Sequence, residues 1–131
     1  NVFRSHPNIY PMKADVLEVD GLRLGGISGI FGNPNKKPWR HDFTEFEESF
    51  RAIIEERPDI LLLHEGPDFP PERLRGSDFI RNLVVDLPAD ARPKLIVNGH
   101  CHWSKPMVEL TTSGPAVLNV DARVVVLQRP V

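Results

Sequence analysis

The segment LIVNGHCH, residues 95–102, places two histidines directly behind a short apolar run. The segment ILLLHEGP, residues 60–67, has the same form, with His64 at the end of its apolar run. Short apolar runs that end near glycine and proline are typical of buried strands. Because ligands of layered α/β folds bind outside the carboxyl ends of strands, both segments predict a shared site at one edge of a sheet.

Two amphipathic helices are predicted around these strands. Residues 42–57 repeat phenylalanine and isoleucine at helical spacing, with Asp42 placed to cap the first turn and Pro58 to end the helix. Residues 77–87 repeat the pattern in a shorter form. The alternation of strands with helices favours an α/β fold.

Further strands are predicted on either side of this alternating region. Residues 16–30 predict a hairpin around an Asp20-Gly21 turn, and the glycines of its second strand indicate close approach of other backbone. Residues 107–127 predict a meander of three short strands. The order of elements therefore predicts a layered α/β sandwich with a mixed β-sheet.

The bulk composition restricts the class of protein. The chain has 131 residues, 40% hydrophobic and 26% charged, which fits one globular domain or part of one. Its net charge is −2 and no block of like charges occurs, so we expect neither a membrane nor long nucleic acid as partner. Cys101 is the one cysteine, so no intrachain disulfide can form, and we expect a cytoplasmic protein.

The histidine spacing suggests metal binding. If the segment were extended, His100 and His102 would point to the same side, with Cα atoms about 6.6 Å apart, while Cys101 pointed away. Imidazoles so placed could serve two metal ions about 3.5–4 Å apart. We therefore predict His64, His100 and His102 as metal ligands. Two alternatives stay open: one ion held by all three, and ordinary strand-end histidines without a ligand role.

Four other residues are predicted to line the site. Gly99 would let the backbone turn sharply before the histidines. Glu65 could orient His64, although a solvent-facing carboxylate is an equal alternative. Asn33 follows the glycine-rich strand, and Trp103 could either wall a pocket or pack in the core. No residue is identified as directly catalytic.

Four segments together carry a family resemblance. In chain order they resemble the C-terminal half of the calcineurin-like metallophosphoesterases, with G-H-x-H as the main motif: GLRLGGISGI (21–30), ILLLHEGP (60–67), LIVNGHCHW (95–103) and AVLNVDARVVVL (116–127). The resemblance implies that His64 and His100 hold one ion and His102 the other. It assigns no ligand to the closing strands, including Asn119 and Asp121.

The same resemblance implies an activity. We expect hydrolysis of a phosphomonoester or phosphodiester by metal-activated hydroxide at a dinuclear site, with Mn, Fe, Zn or Ni as the divalent ions. The expected substrate is a small-molecule or nucleotide phosphoester. The formation of a homo-oligomer is an open alternative.

The sequence departs from the family in its first half. The family motifs D-x-H, G-D-x-x-D and G-N-H do not occur. We therefore interpret residues 1–131 as a single domain or, more simply, as the C-terminal half of a metallophosphoesterase domain whose N-terminal half is missing here. Two rival interpretations remain, namely a catalytically incomplete scaffold or regulatory module and an unrelated mononuclear hydrolase.

Overall fold

The computed structural model describes residues 6–31 and 40–130. Its strands in chain order are β1 (Ala14–Val19), β2 (Leu22–Ile27), β3 (Ile30–Phe31), β4 (Arg40–His41), β5 (Ile60–Glu65), β6 (Leu95–Gly99), β7 (Met107–Glu109) and β8 (Ala116–Asn119). Its helices are α1 (Phe43–Glu55) and α2 (Asp78–Val85). The predicted α/β fold class is confirmed.

Six of these strands form one mixed sheet, in the order β1-β2-β5-β6-β8-β7. The four central strands run parallel, and β1 and β7 pair antiparallel at the two sides. β3 and β4 form a separate parallel pair. The carboxyl ends of β2, β5, β6 and β8 therefore share one edge of the sheet, which we call the carboxyl edge.

The helices begin at the residues that the sequence indicates. Asp42 accepts a hydrogen bond from the backbone N–H of Glu45 at 2.8 Å, which caps α1. Ser77 caps α2 in the same way through the N–H of Ile80, at 3.2 Å. Neither helix is long and apolar enough to cross a bilayer, within the residues that the structure describes.

The helices cover one face of the sheet. Their buried side chains pack on Leu61 and Ile96, both fully buried. A Cβ at Gly25 would lie 2.7 Å from Ile53 Cγ2, so the glycine is needed for the close approach of α1 to β2. The approach is made by side chains and not, as predicted, by other backbone, because the atoms nearest to Gly25 belong to the side chains of Ile53 and Pro58.

The opposite face of the sheet is only partly covered by the described residues. The apolar runs of β5 and β6 predict burial on both faces, but Leu62 and Val97 are half-buried. Met12 lies against Gly26 on this face. Because side chains alternate along a strand, His64 shares the less covered face with Leu62.

The third strand predicted in residues 107–127 is wrong. Residues 124–127 form no strand, and Val124 and Val126 are 96% and 83% exposed. Strand β8 already pairs with β6 on one side and β7 on the other, so it offers no free edge to the segment that follows it. β-propensity without a pairing partner does not make a strand.

Candidate metal centre

The ends of β5 and β6 bring two histidines together. The parallel pairing of these strands sets Glu65 opposite Gly99, so His64 lies beside the residue that follows β6. The Nε2 atom of His64 is 3.1 Å from the Nδ1 atom of His100, and the ring centroids are 5.0 Å apart. Both residues are exposed, and the 3.1 Å contact is also short enough for a hydrogen bond between the two rings.

The backbone at His100 departs from the predicted extended conformation. Its φ is +65°, in the left-handed region, and the N–H of Cys101 donates to the carbonyl of Gly99 at 2.8 Å. The alternation predicted for residues 100–102 is therefore wrong, because a tight turn replaces the extended segment. A left-handed conformation costs a residue with a Cβ about 1 kcal/mol or more, and such strain tends to collect at functional sites.

His102 is paired with a carboxylate. Its Nδ1 atom lies 3.3 Å from Oδ2 of Asp121, and the two side chains are 59% and 36% exposed. Asp121 stands two residues after the end of β8, so it reaches the same edge of the sheet as the histidines. Sequence reasoning assigned it no role. The one feature that could have indicated a role for Asp121 is its position shortly after β8, which pairs in parallel with β6.

A shallow cavity of about 420 Å³ lies between the His64–His100 pair and Asp121. His64, His100 and Asp121 lie on its wall, and Leu62 and Val97 are among its apolar lining residues. Gly99 also lines it, and a Cβ at Gly99 would meet no atom within 4 Å. The carboxyl edge therefore has room for a small polar group beside the histidines.

The remaining predicted site residues have different positions. Trp103 is fully buried and donates from Nε1 to the carbonyl of Arg75 at 2.7 Å, so the prediction that it walls a pocket is corrected. The indole ring has a large apolar surface, so its burial in the core is favourable. Glu65 is half-buried, and its orienting role stays a prediction. Asn33 lies outside the described residues.

The distance between the His64 and His100 nitrogens suits a hydrogen bond between the rings and also shared coordination of one ion. Two nitrogens bound to one zinc ion at about 2.0–2.1 Å lie roughly 2.9–3.4 Å apart, for angles between octahedral and tetrahedral. The 3.1 Å separation of the His64 and His100 nitrogens falls in this range. Asp121 leaves Nε2 of His102 unengaged, as in carboxylate–histidine–metal arrangements. Within residues 6–31 and 40–130, no cluster of three or more His, Cys, Asp or Glu is formed.

The fold and its paired histidines define an α/β protein with a candidate metal-binding edge. Comparison with known proteins shows two lariat debranching enzymes to which the chain is similar. Lariat debranching enzyme A of Xenopus laevis is 33% identical over 101 residues, which cover 61% of this chain and 19% of the relative. The lariat debranching enzyme of Schizosaccharomyces pombe is 31% identical over 114 residues, covering 70% of this chain and 25% of the relative. The chain thus spans a quarter or less of the length of these relatives. No family model matches it.

Proposed function

We propose that this chain is part of a metal-dependent phosphodiesterase that cleaves a branched oligonucleotide. The observation that carries the proposal is the His64–His100 pair, two imidazole nitrogens 3.1 Å apart at the ends of adjacent parallel strands. The relatives support the choice of substrate, because debranching of an RNA lariat is hydrolysis of a 2′–5′ phosphodiester.

The net charge of the chain restricts how such a substrate would be held. With 16 basic and 18 acidic residues, extended contacts to a phosphate backbone are not favoured. Recognition would then be local to the branch, where the cleaved phosphate lies. This agrees with the expectation, still a prediction, that long nucleic acid is a poor partner.

The proposed roles follow from the two pairs. His64 and His100 would hold one divalent ion. His102 would hold a second through Nε2, while Asp121 on its Nδ1 would fix the orientation of the ring. When bound, divalent ions stabilise charge on phosphoryl oxygens and lower the pKa of water, which favours hydrolysis at neutral pH.

The number of ions is part of the proposal. The left-handed turn at His100 directs it toward His64, whereas His102 pairs with Asp121. This division into two pairs supports two ions over one ion held by all three histidines. The first pair would give two ligands and the second pair one, so water, substrate oxygens or residues beyond the described ones would complete the coordination.

The test uses the protein expressed at full length. It is stripped of metal with a chelator, reloaded with Mn, Fe, Zn or Ni, and assayed on three substrates: a 2′–5′ branched oligonucleotide, a linear 3′–5′ oligonucleotide and p-nitrophenyl phosphate. We expect metal-dependent cleavage of the branched substrate and two ions bound per chain. His6→Ala is the matched control for His64→Ala, because His6 is exposed and lies outside both pairs.

Two results would overturn the proposal. Hydrolysis that survives the chelator would remove the metal from the mechanism. A full-length protein that binds metal but cleaves none of the three substrates, with His64→Ala indistinguishable from wild type, would favour the scaffold or regulatory interpretation. One ion per chain, lost equally in all three histidine variants, would favour a mononuclear centre.

A further inference from the structure

The geometry points to a positioning device for His102, built from the side chains of Asn119, Asp121 and Arg123. We call these three residues the NDR clamp, after their order in the segment NVDAR at 119–123. The inference rests on the proposed function in that it treats His102 as a metal ligand. The clamp would act on His102 and would not itself contact metal or substrate through Asn119 or Arg123.

The clamp holds the backbone on both sides of His102. Asn119 Nδ2 donates to the carbonyl oxygen of Cys101 at 2.7 Å. Arg123 Nη2 donates to the carbonyl oxygen of Trp103. Because His102 lies between these two carbonyls, the two hydrogen bonds restrain the backbone on both sides of it.

The members of the clamp also hold one another. Asn119 Oδ1 accepts from the backbone N–H of Asp121 at 3.2 Å and from Arg123 Nη1 at 3.1 Å. Asn119 is fully buried, and a buried amide is stable only when its polar atoms are hydrogen-bonded. Its donor and acceptor are both used here. The backbone that carries Asp121 is thereby fixed, with the carboxylate 3.3 Å from His102 Nδ1.

The loop is anchored a third time, in the core. Trp103 is fully buried and its indole N–H donates to the carbonyl of Arg75. His102 is thus an exposed side chain on a backbone held from three directions. Such preorganisation lowers the entropy that ligand binding must remove, which is the expected benefit for a metal ligand on a loop.

A purely structural role is the alternative, and the chain offers a matched control for it. Arg92 is also half-buried and also donates to backbone carbonyls, those of Val85 and Leu87, at 2.7 and 3.1 Å. It lies at the opposite edge of the sheet, and none of its hydrogen bonds within the described part of the chain goes to a histidine. If Arg123 only stabilises the fold, then Arg123→Ala and Arg92→Ala should have the same consequences.

The first readout needs no metal. NMR of metal-free protein would compare the His102 ring and the Cys101 and Trp103 amide signals in wild type, Arg123→Ala, Arg123→Lys and Arg92→Ala. We expect shifted or broadened signals in Arg123→Ala and partial recovery in Arg123→Lys, because one ammonium cannot reach both clamp acceptors as a guanidinium fork does. Arg92→Ala should leave these signals unchanged.

The second readout is a titration with Zn²⁺ alone. We expect Arg123→Ala to weaken binding of the second ion about 10-fold to 100-fold, the usual effect of removing an outer-shell partner, and to leave the first ion unaffected. Arg123→Lys should fall between, which keeps the test usable if Arg123→Ala folds poorly. Equal Tm losses in Arg123→Ala and Arg92→Ala, with unchanged His102 signals, would overturn the inference.

The two proposals fail differently. If wild-type protein binds no metal but the His102 signals still respond to Arg123→Ala, the clamp stands as a positioning device and the proposed function falls. If metal binds and His102→Ala weakens it, yet Arg123→Ala changes neither the NMR signals nor the second Zn²⁺ affinity, the proposed function stands and the clamp falls.

Discussion

An arginine side chain forms hydrogen bonds at each edge of the sheet, and the two arginines differ in the groups that surround them. One edge is formed by the beginnings of the four parallel strands, and we call it the amino edge. There, Arg92 donates to the carbonyls of Val85 and Leu87 and to the hydroxyls of Thr111 and Ser113. These bonds join the end of α2 to the loop between β7 and β8. The partners are carbonyl and hydroxyl oxygens, with no titratable side chain among them.

At the carboxyl edge, Arg123 forms similar hydrogen bonds, but within a setting of ionisable groups. It donates to the carbonyl of Trp103 and to Asn119, and the loops it fixes carry His102 and Asp121. His100, beside them, has a left-handed backbone. Hydrogen bonds from an arginine to backbone carbonyls therefore occur at both edges. A left-handed residue also occurs at the other edge, where Arg57 has a φ of +55°, so the ionisable side chains are what distinguish the carboxyl edge.

The largest expected effect is loss of activity on removal of the first histidine pair. We expect His64→Ala or His100→Ala to lower kcat/KM on a branched oligonucleotide about 1,000-fold, equivalent to about 4 kcal/mol of lost transition-state stabilisation. Because both side chains are exposed, the free energy of unfolding should change by less than about 1 kcal/mol for His64→Ala. Steady-state kinetics with urea unfolding would check both values.

His6→Ala is the control for this prediction and should match wild type in both measurements. A His64→Ala variant that keeps more than a tenth of wild-type kcat/KM, at saturating metal, would contradict the assignment of function to the carboxyl edge.

The amino edge should show the opposite behaviour. Arg92→Ala removes hydrogen bonds from a charged donor to several acceptors, so we expect a loss of about 3 kcal/mol in the free energy of unfolding. Activity per folded molecule should remain at the wild-type level. Urea unfolding and an assay normalised to the folded fraction would measure the two effects. A drop in activity larger than the drop in folded protein would contradict the assignment of this edge to stability alone.

A smaller effect is expected from the carboxylate beside His102. Asp121→Asn keeps the size of the side chain and removes its charge, so the ring of His102 loses its oriented anionic partner. We expect about a 10-fold to 100-fold lower affinity for the second ion, with little change in Tm. Calorimetric titration with Zn²⁺ would measure the affinity. Asp15→Asn is the control, since Asp15 is an exposed carboxylate on β1.

The sequence predicts the α/β order and the edge of the sheet at which His64 and His100 lie. Apolar runs ending in histidine are enough for this, because the carboxyl ends of parallel strands share an edge. The turn at His100 is not predictable from spacing, since a histidine in the left-handed region reflects local hydrogen bonding and packing.

The contacts of Asp121 and Trp103 also lie beyond sequence reasoning. Asp121 reaches His102 through the pairing of β8 with β6, which joins residues 21 positions apart in the sequence, such as Leu95 and Ala116. Trp103 looks like a pocket wall beside the histidines, yet its indole N–H finds a carbonyl in the core. Residues 124–127 have strand-type composition without a strand to pair with, so composition misled there.

The smallest effect is expected from relief of strain at the carboxyl edge. His100→Gly places a residue without a Cβ at φ +65°, so it should remove a conformational penalty of about 1 kcal/mol. The greater freedom of glycine in the unfolded state offsets part of this gain. We therefore expect His100→Gly to unfold at a free energy equal to or slightly above that of wild type, and His100→Ala to be the less stable of the two variants. Both should lose the first ion, as measured by Zn²⁺ titration. If His100→Gly were less stable than His100→Ala, the left-handed turn would not be a source of strain. His100 would then cost the fold no stability, and the expected loss of stability in favour of function at the carboxyl edge would be absent.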